Sequence, residues 1–316
     1  MDEETAVEFL PLQPRVSFNT SNTAKNRLAR SSSTESSSPS WDIGTSSRPL
    51  VQQALCSILF GLFGWNFPRY LISIETTIQH NVPPFQKTQA GDVILDFLLN
   101  QNLTYPPTVG SSLLIWGSIW IPLVLVVMAA WSFAPHRPAH VRWHDVHASF
   151  CGLITAVGLS EGATVLLKLY IQRRRPNFYA LCGFDKQLLQ CTADLEKIRE
   201  ASFSFPSGHS SLASCGMTFL VWFFLGKILL SRWNRSTTRI LCAGACVLPW
   251  GWAAFVGASR LVDQWHHPSD VLAGLLLGGL SSTIVYHIWY HPTWSDAAGH
   301  PWSLQPNERK LESFLE

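Results

Sequence analysis

The chain alternates between long apolar blocks and shorter polar stretches. Six mainly apolar blocks lie near residues 51–72, 112–134, 147–170, 210–230, 239–258 and 271–290. Because a helix needs about 20 apolar residues to cross the hydrocarbon core of a bilayer, each block predicts a membrane-spanning helix. The expected fold class is therefore all-α, a bundle of six transmembrane helices in an integral membrane protein.

Five charged residues fall inside these blocks, namely Arg69, Glu161, Lys168, Lys227 and Arg239. Pro68-Arg69 interrupts the first block, and Lys227 lies near the end of the fourth. Long basic side chains can extend to the polar interface, so we expect Arg69 and Lys227 to do this. Glu161 is an acid at membrane depth in the third block. We expect it to have a structural role, paired with another polar group of the bundle, rather than a catalytic one.

Both ends of the chain lack the apolar pattern. Residues 1–50 include the serine-rich stretch 31–40 and cannot bury enough apolar surface to offset the entropy of ordering. We therefore expect a disordered tail over 1–50, a six-span domain over 51–290 and a second tail over 291–316. No basic segment followed by a short apolar segment opens the chain, so no cleaved signal peptide is predicted.

Basic residues in the short connections predict the orientation. The connections 135–144 and 231–239 carry several arginines and few acids, so the positive-inside rule assigns both to the cytosol. The two tails are then also cytosolic, and the other three connections face the lumen or the exterior. The connection between the third and fourth blocks departs from the rule, because it is rich in basic residues: Arg173, Arg174, Arg175, Lys186, Lys197 and Arg199.

Composition narrows the functional classes further. With 23 Lys and Arg against 21 Asp and Glu, the formal net charge of +2 gives no basic field for nucleic-acid binding. The seven cysteines include no Cys-x-x-Cys pair and so give no support for a zinc site. Cys182 and Cys191 could form a disulfide in an oxidising compartment or remain free thiols. Asn102-Leu103-Thr104 is a glycosylation sequon of a kind that also occurs by chance.

Candidate chemistry begins at the end of the third block, in the segment from Lys168 to Pro176. Lys168 and Arg175 are seven residues apart, so on a continuing helix they would share one face, with Pro176 ending the helix. Two cations at a membrane boundary with no acid between them favour an anionic ligand. The alternative is a pair of basic side chains that contact lipid headgroups.

The second segment, Pro206-Ser207-Gly208-His209, precedes the fourth block. Ser207 is a good helix N-cap, and Gly208 allows a ligand to approach the backbone closely. The free N–H groups at a helix start bind phosphate-like anions, and His209 is placed beside them to transfer a proton. Taken alone, this tetrapeptide would indicate no more than a turn.

The third segment, from Ser259 to Asp270, joins the fifth and sixth blocks. His266 and Asp270 are four residues apart, so the carboxylate can accept a hydrogen bond from one ring nitrogen and leave the lone pair on the other. Arg260 adds a third cation suited to phosphate oxygens. A His–Asp pair alone is commonly structural, but the three segments together supply what phosphoryl transfer needs.

The order Lys-x6-Arg-Pro, Pro-Ser-Gly-His and Ser-Arg-x5-His-x3-Asp resembles the triple signature of the type 2 phosphatidic acid phosphatase (PAP2) superfamily. The six-span layout over 51–290 is similar to its lipid phosphate phosphatase branch, and it implies a helix bundle of the PAP2/haloperoxidase type. His267 would give the wrong spacing on both sides, so His266 takes the position of the nucleophile.

The resemblance implies a two-step hydrolysis without metal or other cofactor. His266 would attack phosphorus, Asp270 would orient its ring, and His209 would protonate the leaving group and later activate water. The expected phosphate-binding residues are Lys168, Arg175, Ser207, Gly208 and Arg260. The sequence also shows no cluster of carboxylates suited to magnesium outside the cytosolic side, no Cys-x5-Arg motif and no P-loop.

The expected partners are the bilayer and a lipid phosphate, with no nucleic acid. The leading substrates are phosphatidate, lysophosphatidate and diacylglycerol pyrophosphate. The alternatives are a sphingoid-base phosphate, a polyprenyl diphosphate, or an inactive membrane scaffold of the same fold. Organelle and oligomeric state are left open.

Overall fold

The computed structural model describes residues 41–42, 48–74, 83–102, 106–132, 139–230, 235–295, 297–303 and 305–306. Its helices are α1 (Arg48–Ile74), α2 (Ser111–Ser132, with a π-helical stretch at Trp116–Trp120), α3 (Ala139–Ile171), α4 (Phe178–Cys182), α5 (Leu195–Ser202), α6 (Gly208–Leu230), α7 (Arg235–Val262) and α8 (Pro268–Trp289). In the described part of the chain, six of these are long and apolar enough to cross a membrane: α1, α2, α3, α6, α7 and α8. The six predicted spans are confirmed.

Short strands lie in the connections, before α1 and after α8. They are β1 (Trp41–Asp42), β2 (Phe85–Lys87), β3 (Val93–Leu95), β4 (Phe184–Asp185), β5 (Gln190–Cys191) and β6 (Gln305–Pro306). β2 and β3 form an antiparallel hairpin in which Phe85 lies opposite Leu95, and β4 pairs with β5 in the same sense. The predicted tail over 1–50 lies outside the described residues except at 41–42 and 48–50, and the sequon at Asn102 extends outside them.

The fourth span is at the centre of the bundle. In the apolar 18-residue stretch that defines each span, 83% is buried within the protein in α6 but only 11% in α1. α6 packs against α2, α3, α7 and α8. Its contact with α8 depends on Gly278, because a Cβ there would overlap the carbonyl oxygen of Ser211. The motif at the start of α6 is therefore enclosed by neighbouring helices.

A small cap covers one end of the bundle. It contains α4, α5, β4 and β5, and a disulfide joins Cys182 to Cys191, which resolves the two alternatives left open by the sequence. Phe178 and Tyr179 form its apolar core together with Leu95 of β3 and Trp265 of the α7–α8 connection. The α1–α2, α3–α6 and α7–α8 connections thus pack together at the same end.

The charged residues inside the spans form ion pairs. Arg69 donates to Glu161 at 2.6 Å, which confirms the structural role predicted for the acid, although the arginine side chain remains 40% exposed. The prediction for Lys227 is wrong, because its side chain is buried and pairs with Asp145 at 2.5 Å. The reason is that the segment after α8 folds back over it, and Lys227 Nζ also donates to the carbonyl of Gly299 at 2.6 Å.

Candidate active site

The three sequence segments with candidate chemistry meet at the capped end of the bundle, around a cavity of about 180 Å³. The cavity is lined by residues from the three connections at this end and from the adjoining helix ends: Pro107, Ser111, Lys168, Arg175, Glu200, Gly208, His209, Arg260, Trp265 and His266. Of the eight predicted site residues, Ser207 and Asp270 do not line it. Both are buried just behind its wall.

Lys168 and Arg175 both reach the cavity, but along different routes. α3 ends at Ile171, and Gln172 has a φ of 46°, in the left-handed region that terminates helices. The predicted continuation of the helix to Arg175 is therefore wrong. Lys168 donates from the last turn of α3 to the carbonyl of Phe203 at 2.9 Å. Arg175 follows in an irregular segment that the cap holds in place.

The cap fixes Arg175 through α5. The backbone N–H of Arg175 donates to Ala201 at 2.8 Å, and its Nε donates to the carbonyl of Glu200 at 2.7 Å. The Glu200 carboxylate is 3.8 Å from the guanidinium, which lies 5.1 Å from the centre of the Trp265 ring. Burial lowers the pKa of Arg175 to about 10, which leaves it charged at neutral pH. Glu200 lies outside the three motifs, and Trp265 occupies an unspecified position within the third.

The start of α6 has the predicted N-cap. Ser207 Oγ accepts hydrogen bonds from the backbone N–H of Ser210 at 3.4 Å and from its hydroxyl at 3.0 Å. At Gly208 the nearest atom to an added Cβ would be Cγ2 of Thr164, 3.9 Å away. Glycine is thus not required there by packing, and the space above its amide opens into the cavity next to His209.

Arg260 is held from two directions in the last turn of α7. Its Nη2 donates to the carbonyl of Val109 at 2.9 Å and to Asp263 Oδ2 at 3.2 Å. Asp263 in turn accepts two hydrogen bonds from Thr108, from the backbone N–H at 2.8 Å and from the hydroxyl at 2.7 Å. Asp263 was missed in the sequence, although its position three residues after Arg260 is a usual spacing for an ion pair within a helix.

His266 and Asp270 face each other without a direct hydrogen bond. Nδ1 of His266 is 3.8 Å from Asp270 Oδ2, which is too long for the bond that the spacing predicts. The hydroxyl of Ser204 donates to Asp270 Oδ2 at 2.6 Å and lies 3.4 Å from Nδ1. Asp270 also accepts from the backbone N–H of His267 and so caps α8. No feature of the sequence indicated Ser204.

The ring of His266 is neutral at pH 7. Burial lowers the pKa of His266 well below its usual range, and the charges of Arg175 and Lys168 lower it further, while Asp270 acts in the opposite direction. Since Nδ1 lies on the side of Asp270, Nε2 is the ring nitrogen left for the cavity. A neutral imidazole with this orientation can act as a nucleophile.

The balance of charge around the cavity is positive. Among the residues that the structure describes, Arg260 is paired with Asp263, the carboxylate paired with Arg175 is that of the half-exposed Glu200, 3.8 Å away, and Lys168 donates to a carbonyl. Among the residues that the structure places in the cavity wall, Glu200 is the one acid. Such a site can neutralise the charge on the oxygens of a phosphoryl group.

Comparisons with known proteins give consistent matches. A family model described as the PAP2 superfamily matches residues 149–294. Lipid phosphate phosphatase 1 of Arabidopsis thaliana is 30% identical over 246 residues, which cover 76% of this chain and 71% of that protein. A PA-phosphatase related-family protein of Dictyostelium discoideum is 31% identical over 76% of this chain and 83% of its own length. A solved transmembrane PAP2-type phosphatidylglycerolphosphate phosphatase from Bacillus subtilis aligns with 76% of this chain and 94% of that chain, at 19% identity and a TM-score of 0.36.

Proposed function

Because this chain belongs to the PAP2 superfamily, we propose that it removes phosphate from phosphatidate and related membrane lipid phosphates, lysophosphatidate and diacylglycerol pyrophosphate among them. The reaction hydrolyses a phosphate ester or, in diacylglycerol pyrophosphate, a phosphoanhydride, and it needs no metal ion. It proceeds through a phosphohistidine formed on His266.

The observation that carries this proposal is the cationic cavity beside two histidines. A volume of about 180 Å³ is suited to a phosphoryl group and not to a whole lipid. Lys168, Arg175 and Arg260 would neutralise its oxygens, and the N–H groups at the start of α6 would add neutral donors. Ser207 would act from behind the wall by fixing that helix start.

In the first step, Nε2 of His266 attacks phosphorus. The Nε2–P bond forms as the P–O bond to the lipid breaks, and His209, which carries a proton while the anionic substrate fills the cavity, gives that proton to the leaving group. The diacylglycerol-type product then departs. Asp270, through Ser204, keeps the Nδ1 side of the ring in place during the attack.

In the second step, His209 is neutral and accepts a proton from a water molecule. The water oxygen attacks phosphorus as the Nε2–P bond breaks, which releases inorganic phosphate and restores neutral His266. His209 is then protonated again, and the enzyme is ready for another lipid.

We also propose that the cavity faces the lumen or the exterior. The positive-inside rule supports this orientation, because Arg142 and Arg239 lie near the starts of α3 and α7, whereas the cavity lies at the other ends of these two helices. The six-span domain over 51–290 would then carry both tails, 1–50 and 291–316, on the cytosolic side.

The proposal is tested with purified protein in detergent containing EDTA. Phosphate release is measured for phosphatidate, lysophosphatidate, diacylglycerol pyrophosphate, a sphingoid-base phosphate and a polyprenyl diphosphate. We expect the wild type to be active in chelator and His266→Ala to be inactive. His267→Ala is the matched control and should retain most activity, because His267 does not line the cavity.

The intermediate is tested with lipid carrying a labelled phosphate. An acid-labile, alkali-stable label on the wild type and its absence from His266→Ala are the expected results. Equal activity of wild type and His266→Ala would refute the mechanism, and no activity on any lipid of the panel would favour the scaffold alternative.

A further inference from the structure

In the described part of the chain, no cation that the three motifs specify forms a direct ion pair with Asp270, although the charges of Lys168 and Arg175 act on it from a distance. The side chain of Asp270 is completely buried, and the histidine it faces is neutral. A buried carboxylate without a charged partner is strongly unfavourable. Neutral donors contribute at Oδ2, namely the hydroxyl of Ser204 and the backbone N–H of His267. A compensating positive charge must come from another residue.

Arg173 supplies that charge. Its Nη1 donates to Asp270 Oδ1 at 2.7 Å and to the hydroxyl of Ser269 at 2.6 Å. The two oxygens of the carboxylate are thus engaged separately, with Arg173 at Oδ1 and the neutral donors at Oδ2. Arg173 precedes the cavity-lining Arg175 by two residues but does not itself line the cavity.

The backbone of Arg173 belongs to the same arrangement. The left-handed residue Gln172 turns the chain away from the axis of α3 just before Arg173. The carbonyl of Arg173 then accepts from the backbone N–H of Ser204 at 2.8 Å. Arg173 therefore positions Ser204 through its backbone carbonyl and contacts Asp270 through its side chain.

We propose that Arg173 is a positioning residue that keeps Asp270 ionised and fixed while His266 is neutral, so that Nε2 of His266 carries the lone pair that attacks the phosphorus of a lipid phosphate. The inference rests on the proposed function. It assigns Arg173 no contact with the substrate.

The physical reason is that Arg173 and a proton on His266 are alternative sources of positive charge next to the Asp270 carboxylate. Four groups face His266: Asp270 from α8, Ser204 and Arg175 from the α3–α6 connection, and Lys168 from α3. The other titratable groups in the cavity wall are His209, Arg260 and Glu200. Without Arg173, Asp270 would compensate its charge by drawing a proton onto His266. The imidazolium has no free lone pair and cannot attack phosphorus.

The sign of the pH effect follows. Activity that needs neutral His266 rises with pH through the pKa of His266, which burial now holds low. Removal of the Arg173 charge strengthens the pull of Asp270 and raises that pKa. The acid limb of the kcat/KM profile therefore moves to higher pH, and activity is lost first under acidic conditions.

The test compares Arg173→Gln, Arg173→Lys and the matched control Arg174→Gln, which makes the same charge change one residue away. The Arg174 guanidinium lies over the Phe178 ring at 5.2 Å and does not line the cavity. Kinetics on phosphatidate are measured from acid to alkaline pH, with folding followed by gel filtration and thermal unfolding.

For Arg173→Gln we expect kcat to fall about 10- to 100-fold, as when an orienting partner is lost, with KM changed less than about threefold. Its acid limb should move up by about one pH unit. Arg173→Lys keeps the charge, so its acid limb should return to the wild-type position and its kcat should be about tenfold higher than that of Arg173→Gln. Arg174→Gln should match the wild type.

The proposal is overturned if Arg173→Gln keeps the wild-type acid limb, or if it loses activity that Arg173→Lys does not recover. Should Arg173→Gln fail to fold, Ser269→Ala removes one of the two acceptors of Nη1 without a charge change. The acid limb of this variant should then shift in the same direction but by less. If the limb does not shift at all, the proposal is overturned. Failure of the proposed function is distinct, because the wild type itself would then be inactive on every lipid phosphate.

Discussion

Buried charge occurs at both ends of the helix bundle, but in different arrangements. At the end covered by the segment after α8, Lys227 pairs with Asp145 at 2.5 Å and also donates to Gly299. At the capped end, in the described part of the chain, Lys168 donates to a carbonyl, and Arg175 is paired with a half-exposed carboxylate 3.8 Å away. The first cluster is neutral as a whole, and the second has an excess of positive charge next to a cavity.

We interpret this difference as the one between a structural cluster and the proposed binding site. Around the pair at Lys227, Tyr290 donates to the carbonyl and the carboxylate of Asp145, so the polar atoms have partners within the chain. An excess of buried cations is unfavourable unless an anion binds there for part of the time. Substitutions at the two ends should therefore affect different quantities, stability at one and activity at the other.

The largest expected effect is on stability at Lys227. Lys227→Met leaves the Asp145 carboxylate buried without its partner, which should lower the free energy of unfolding by about 3–5 kcal/mol. The double variant Lys227→Met, Asp145→Leu removes both charges and should recover most of this loss. Thermal unfolding in detergent measures both. If the double variant is as unstable as the single one, the pair is not the reason for the stability.

The second effect is on activity at Lys168. Lys168→Met removes a cation that we place on the phosphoryl group, and loss of one such donor typically costs about 10²- to 10³-fold in rate. Because no ion pair is broken, thermal unfolding should be unchanged or slightly improved. Phosphate release and unfolding are measured on the same preparation. A loss of stability as large as that of Lys227→Met would contradict the contrast between the two ends.

The third effect contrasts two glycines. An added Cβ at Gly208 would meet no atom closer than 3.9 Å, whereas at Gly278 it would overlap the Ser211 carbonyl. Gly208→Ala should therefore fold normally but lower kcat/KM about 10- to 100-fold, because the methyl group occupies space for a phosphoryl oxygen near the helix start. Gly278→Ala should lower stability by about 1–3 kcal/mol. Normal activity of Gly208→Ala would remove Gly208 from the proposed site.

The spans and the meeting of the motifs could be predicted because both depend on local information. Hydropathy over about 20 residues identifies a span, and three motifs at span ends on one side must face the same compartment. The start of α3 at Ala139 lies well before the apolar block at 147, because a helix continues into polar sequence beyond the bilayer. Hydropathy marks the buried part of such a helix and not its end.

Pairings between distant segments could not be predicted from the sequence. Arg173 lies 97 residues before Asp270, and no spacing rule connects them. The expectation for Lys227 was wrong for the same reason, since its partners lie on α3 and beyond α8. The path of Arg175 depended on one left-handed residue, Gln172, which carries no glycine or asparagine signal. The sequence thus located the cations of the site but not the residues that orient them.

The smallest expected effect concerns the cap and its Cys182–Cys191 disulfide. The bond closes a short loop within the cap, and we expect the apolar core around Phe178 and Tyr179 to remain when the bond is lost. Because α5 of this cap holds Arg175, Cys182→Ser with Cys191→Ser should loosen the cation and lower kcat/KM about two- to fivefold. The bundle itself should unfold as in the wild type.

The change is measured as kinetics on phosphatidate with and without reductant. The double variant keeps the free cysteines of the spans and should not respond to reductant, so it controls for effects of reductant at those cysteines. If the double variant loses activity as completely as Lys168→Met, the disulfide and not the apolar core maintains the cap, and the excess of positive charge at this end depends on the redox state of its surroundings.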